Sequence, residues 1–100
     1  MNHLSSADCH TFKPKFRAGQ IVATPNAMSA IPNDEIMDAL CRHVQGDWGT
    51  LDPEDRDANE AALKNGGRLF SQYHSNQKIK FWIITEADSS VTTVLLPEDY

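Results

Sequence analysis

The sequence predicts an α+β fold: a short N-terminal strand and two to three helices packed on a C-terminal three-stranded antiparallel meander, a mostly antiparallel sheet. Three observations lead there. The run Lys78-Ile-Lys-Phe-Trp-Ile-Ile-Thr85, the turn Glu-Ala-Asp-Ser-Ser and the run Val91-Thr-Thr-Val-Leu-Leu96 set two β-branched and aromatic strands about a short connection. The middle of the chain instead carries apolar residues at three- and four-residue spacing, the helical period. The joints 75–77 and 86–90 are too short for crossovers, so both read as hairpins.

Taken in order, residues 1–15 are polar and aperiodic and read as a flexible tail, and residues 16–100 form a single domain. Residues 19–24 read as a strand that Pro25 and Asn26 end. Asn26 then caps a short helix over 27–31, which Pro32 breaks. Asn33 is the expected N-cap of the next helix. Asp34 and Glu35 sit in its first turn, where the helix dipole favours acids, and Gly46 closes it. Ile36, Met37, Leu40, Cys41 and Val44 form its buried stripe, with Cys41 as a free thiol acting as a small hydrophobe. After the loop 46–50, Asp52 caps a third helix with Pro53 at its first position, and Asn65-Gly66-Gly67 stops it. Ala58, Ala61, Ala62 and Leu63 make the expected buried face, and Asn59 is expected to bond a loop backbone such as that around Trp48. Strands over 68–74, 78–85 and 91–96 complete the chain, with 78–85 in the centre, antiparallel to both neighbours.

Composition narrows the functional classes. One hundred residues with 40% hydrophobic and 23% charged side chains describe an ordinary soluble domain. No apolar run is long enough for a membrane span, and the first twenty residues lack a secretory h-region. Two cysteines are too few for a disulfide framework, so a reducing cytoplasm is expected. The net charge of −5 is uneven: residues 34–60 hold nine acids against Arg42 and Arg56, while residues 61–85 hold four cations and no acid. That map predicts an acidic helical surface beside a mildly basic sheet. It disfavours nucleic acid as a partner and favours a protein with a basic surface.

Alternation along the middle strand puts Ile79, Phe81 and Ile83 on a core face. Trp82 and Ile84 fall on the other, beside Thr92, Val94 and Leu96. Either the N-terminal segment or a partner has to cover that second patch. Unless they pair with each other, 21–24 or 91–96 has to lie at a sheet edge, and an apolar edge invites pairing between chains, so a homodimer at micromolar concentration is expected.

The chemistry-bearing residues offer few constellations. Met1-Asn2-His3 could wrap a square-planar copper or nickel ion, as any third-position histidine can. His3, Cys9 and His10 lack the spacing of a zinc site, and Cys41 and His43 point to different helix faces. No metal and no cofactor is therefore expected. Arg68, Gln72 and His74 alternate on one strand face, Ser71 and Tyr73 share the other, and Glu86 and Asp88 sit in the turn after the middle strand. Arg68, His74 and Glu86 could serve a small toxin-type endoribonuclease. His74 or the carboxylate would take a 2′-hydroxyl proton and Arg68 would steady the phosphate. The acidic net charge stands against that reading. Trp48, between glycines and beside Asp47, is either a lid on the core or an exposed anchor for a partner. The partner-binding candidates are Asp47, Trp48, Arg68, Tyr73, Trp82, Glu86 and Asp88.

Several blocks also carry a resemblance: Gln20-Ile-Val-Ala-Thr-Pro, Arg42-His-Val-Gln-Gly-Asp-Trp-Gly49, Asp57-Ala-Asn-Glu-Ala-Ala-Leu63, Gly67-Arg68 with Ser71 and Tyr73, Trp82-Ile-Ile-Thr-Glu-Ala-Asp88 and Thr92-Thr-Val-Leu-Leu-Pro-Glu-Asp-Tyr100. Over residues 16–100 the chain resembles a family of short bacterial plasmid-related proteins carried on mobile genetic elements. The resemblance implies context: an accessory gene travelling with a mobile element, of a kind that often encodes proteins acting on host defence or on other proteins. The reading adopted for this chain is a non-enzymatic protein of a mobile element that works by binding another protein, with modulation of host defence as the expected role.

Overall fold

The computed structural model describes residues 14–100; the tail over 1–13, with the Met1-Asn2-His3, Cys9 and His10 candidates, lies outside the described residues. Its elements are β1 (Gln20–Ala23), α1 (Pro25–Ala30), α2 (Asn33–Val44), α3 (Pro53–Asn65), β2 (Leu69–His74), β3 (Lys80–Thr85), β4 (Val91–Leu95) and a closing 3-10 turn, Pro97–Asp99. The sheet order is β1-β4-β3-β2. β3 is antiparallel to β2 and β4, as its short connections dictate, and β1 runs parallel to β4 at the edge. This is the expected α+β architecture. The Lys15 amide donates to the Val44 carbonyl at 2.6 Å.

Helix starts depend on which oxygen reaches the free amides of the first turn. Asp52 caps α3 as expected, accepting from the Asp55 amide at 3.0 Å, with Pro53 at the first helical position. The other two caps are corrected. Thr24, not Asn26, caps α1 by accepting from the Ala27 amide at 3.1 Å, and Pro25 starts the helix. Asn33 lies inside α2, whose cap position is Pro32, with no side-chain capping bond. Asp99 ties this corner together: it accepts from Thr24 Oγ1 at 2.6 Å and Asn26 Nδ2 at 2.7 Å, and those two bonds hold its carboxyl below the usual range.

The main core joins Ala27 and Ile31 of the α1 region, Ile36, Ala39 and Leu40 of α2, and Tyr73, Phe81, Ile83 and Val94 of the sheet. Cys41 is buried there, but it is disulfide-bonded rather than the expected free thiol, so the thiol argument for a reducing compartment drops out. Ala58 and Ala61 are exposed, contrary to expectation, and α3 turns Asn59, Ala62 and Leu63 inward. The helix docks by a polar bond. Asn59 Nδ2 donates to the Phe70 carbonyl at 2.6 Å, and its Oδ1 accepts from the Phe70 amide at 3.1 Å. One amide side chain thus stands in for a strand neighbour on the outer side of β2, rather than reaching the Trp48 loop.

Sheet register corrects one more expectation. The tip 87–90 places Thr85 opposite Thr92, so Trp82 faces Leu95 and Ile84 faces Thr93. Thr92 and Val94 therefore join the core face, and Leu96 is also packed into the core, because a one-residue change of pairing exchanges the two faces of a strand. No helix among the described residues is long and apolar enough to cross a membrane.

Candidate functional site

The candidate residues are spread over the molecule, and three places matter most. The first lies on the sheet face that carries no helix. Even-numbered residues of β2 and β3 emerge here, and Phe70 and Trp82 meet edge to face with ring centroids 5.1 Å apart. Trp82 Nε1 donates to Gln72 Oε1 at 3.1 Å. After the 3-10 turn, Tyr100 returns across the sheet to 5.9 Å from the Trp82 ring. Arg68 closes the end: its guanidinium donates to Tyr100 Oη at 3.0 Å and lies 3.5 Å from a Glu86 carboxylate oxygen. Arg68, Phe70, Trp82, Ile84 and Tyr100 line an open cleft of about 340 Å³. Tyr100, a residue that strand alternation could not place and that is itself exposed, lies over part of the second patch, for which the N-terminal segment or a partner is the expected cover. Asp88 stays apart in the turn, where its carboxylate accepts from the Ser90 amide at 3.0 Å and hydroxyl at 2.6 Å.

The second place is the loop after α2, which seals the edge of β2. Gln72 donates to the Trp48 carbonyl at 3.1 Å and accepts from the Thr50 amide at 2.8 Å, a short parallel bridge. Gly49 makes this approach possible: at φ +77°, a Cβ there would lie 1.9 Å from the Gln72 carbonyl oxygen. Trp48 is 4% exposed, stacks on Phe16 and donates its indole N–H to Glu60 at 2.9 Å. Burial corrects the exposed-anchor expectation, and the lid alternative describes this residue. Asp47 pairs with Arg42 at 2.8 Å, which holds its carboxyl below the ordinary range, and it also accepts from the Gly49 amide. Tyr73 is buried and donates its hydroxyl to the Asp47 carbonyl, with its own pKa raised by burial. Asp47, Trp48 and Tyr73 hold an edge together.

The third place is the buried His43, whose polar network sequence reasoning did not find. Its Nδ1 lies 2.5 Å from Ser71 Oγ and its Nε2 lies 2.9 Å from Thr85 Oγ1. Thr85 meets Thr92 at 2.7 Å, and Thr92 donates to the Ala18 carbonyl at 2.7 Å. Proton counting fixes the direction of the chain. Thr92 spends its proton on Ala18, so Thr85 donates to Thr92, His43 Nε2–H donates to Thr85, and Ser71 donates to Nδ1. Phe16 and Trp48 close around the ring at 5.1 and 5.8 Å. Burial depresses its pKa to about 3, so the imidazole is neutral at ordinary pH. A Ser–His pair with both members 0% exposed reaches no substrate and cross-links α2 to the sheet. The signal was present: Ile36, Ala39, Leu40 and His43 share the helical spacing of a buried stripe.

The endoribonuclease set is not assembled. Arg68 and Glu86 sit together, but His74 is six residues along the strand, roughly 20 Å away at about 3.3 Å per residue. His74 instead borders a smaller cleft of about 150 Å³ that also holds Glu35, Asp38 and Arg42. Arg42 is already engaged by Asp47, and the two further carboxylates oppose a phosphate. Among the described residues, no group of three or more His, Cys, Asp or Glu side chains could hold a metal ion. Comparison with family models, curated proteins and solved structures finds no match to this chain.

Proposed function

We propose that this chain is a binding protein that takes part of another protein into the helix-free cleft. One observation carries the reading: Phe70, Trp82 and Tyr100 form an open aromatic wall with a cation, Arg68, at its end. Aromatic and arginine side chains dominate binding energy where they can be desolvated. The Arg68–Glu86 pair is about half exposed and long at 3.5 Å, a geometry worth little in stability, so Arg68 is available to a better partner. The segment that fits is an apolar side chain with a carboxylate beside it. Lys80, exposed further along the same face, extends that preference for an acidic partner segment.

This moves the binding surface away from the acidic helix. Asp52, Glu54, Asp55, Asp57 and Glu60 of that region are exposed and can steer a basic surface, but the anchor beside them, Trp48, is buried. The resemblance to mobile-element proteins supports a host protein as the partner and modulation of host defence as the outcome. Among the described residues, the set Arg68, His74 and Glu86 of the alternative, an endoribonuclease, is not brought together.

Affinity capture from a bacterial host, with the wild-type chain, a Trp82→Ala variant and an Asp55→Lys/Asp57→Lys variant as baits, tests the reading. A protein held by the wild type and the charge-reversed bait but lost with Trp82→Ala supports it. Retention of every partner by Trp82→Ala overturns it. Growth arrest with RNA cleavage on induction, abolished by His74→Ala, would establish the ribonuclease instead.

A further inference from the structure

The two edges of the sheet are finished differently. The β2 edge is occupied by Asn59 and by the Trp48–Thr50 bridge. At the other edge, β1 has β4 as its one strand neighbour among the described residues. The Gln20 and Thr24 amides point inward, each donating at 2.9 Å to the carbonyls of Ser90 and Val94. Strand alternation then turns the N–H and C=O groups of Ile21 and Ala23 outward. No hydrogen bond from another described element reaches them. Ile21, Val22 and Met28 are 50%, 38% and 66% exposed. β1 contains no charge, no proline and no bulge, the usual protections of an edge.

We propose that β1 pairs with β1 of a second copy of this chain, antiparallel, about a two-fold axis passing through Val22. The register follows from the outward groups. Ile21 opposite the second copy's Ala23, taken twice, uses the outward N–H and C=O groups of both residues in both chains. Centring the axis on Ile21 would leave Ala23 opposite Gly19, outside the strand. A two-fold axis perpendicular to the sheet keeps both helical layers on one side and joins the two helix-free faces into one surface. The two Val22 side chains then meet on that surface, while Ile21 and Met28 are shielded on the helical side.

A second copy is the occupant because the edge is complementary to itself. It offers equal numbers of donors and acceptors, and its lack of charge means that antiparallel pairing sets no like charges opposite each other. The contact is short beside a standard interface, so association is weak and concentration-dependent. This surface is separate from the cleft, and either reading can fail without the other.

Sedimentation velocity of the full chain, from low micromolar to high micromolar concentration, is the first measurement. The wild type shifts towards a dimer as concentration rises. Ala23→Pro removes only an outward N–H, which an edge strand tolerates. Val22→Lys sets two charges together at the axis. Each weakens association by about tenfold or more with an unchanged melting curve. Register is read by mild oxidation of Val22→Cys and Ile21→Cys variants: a 22–22 cross-link forms between copies and a 21–21 cross-link does not. A wild type that stays monomeric throughout overturns the proposal. So does a dimer untouched by Val22→Lys in a folded chain, or a dominant 21–21 cross-link.

Discussion

Phe81 and Trp82 are neighbours in β3 and belong to different environments. Phe81 faces the helices, is 1% exposed and packs against Tyr73 at a centroid distance of 5.8 Å. Trp82 faces the open side and is only partly buried under Phe70 and Tyr100. The helical face of the sheet is finished: apolar volume is filled, and the polar groups around His43 are paired into a directed chain. The open face is covered by three aromatic rings and an exposed ion pair, all at the end of the sheet where Arg68 and Tyr100 meet. A face that is covered in this partial way retains apolar area that a second molecule can remove from water.

The largest contrast is expected from Phe81→Ala. Truncating a fully buried aromatic loses its transfer free energy and leaves a cavity, costing about 3–5 kcal/mol. Denaturant titration at neutral pH measures it; a loss under about 1 kcal/mol would mean that the helical face repacks freely and the contrast is wrong.

Next in size is the pH response of the finished face. His43 has a folded pKa of about 3 against an ordinary value of 6.5, so between these limits the unfolded chain binds the extra proton. Its contribution to stability is complete above pH 6.5 and falls as pH drops through that window, by up to about 1.4 kcal/mol per pH unit. Chemical unfolding from pH 7 to pH 4 checks the slope. His43→Asn should remove this component, whatever it does to stability at pH 7.

Trp82→Ala is expected to cost less stability than Phe81→Ala, about 1–2 kcal/mol, because part of the ring is already in water. It should abolish partner capture, so the two measurements separate fold from function on adjacent residues. The smallest effect belongs to Arg68→Ala. An exposed pair of this kind contributes about 0–1 kcal/mol, so melting should barely move while binding of an acidic segment weakens and loses salt dependence.

Asn59, Arg68, His43 and Trp48 show how far a sequence reading reaches. Arg68 is a candidate from sequence alone and it lines the cleft, because alternation along a strand gives its first residues a predictable face. Its neighbour Tyr100 carries no such signal: its placement depends on the 3-10 turn at Pro97–Asp99 and on no periodicity. Asn59 is expected to bond a loop backbone and instead bonds the strand backbone at Phe70, which becomes adjacent only after α3 docks. Trp48 could be a lid or an anchor until the edge of β2 was in place.

The order and type of the strands and α-helices, the two hairpins, the central position of β3 and the Asp52-Pro53 helix start were determined by the sequence itself. They rest on backbone preferences and periodicities that act over a few residues. Tertiary structure decided which groups meet. Ser71 and Thr85 lie 28 and 42 residues from His43, and Ala18 lies 74 residues from Thr92. It also decided the parity of the β3–β4 pairing, and with it which threonines and valines enter the core. Such contacts form only after chain segments with no local preference for each other have been brought together, when the net gain from burial and hydrogen bonding outweighs the entropy of ordering them.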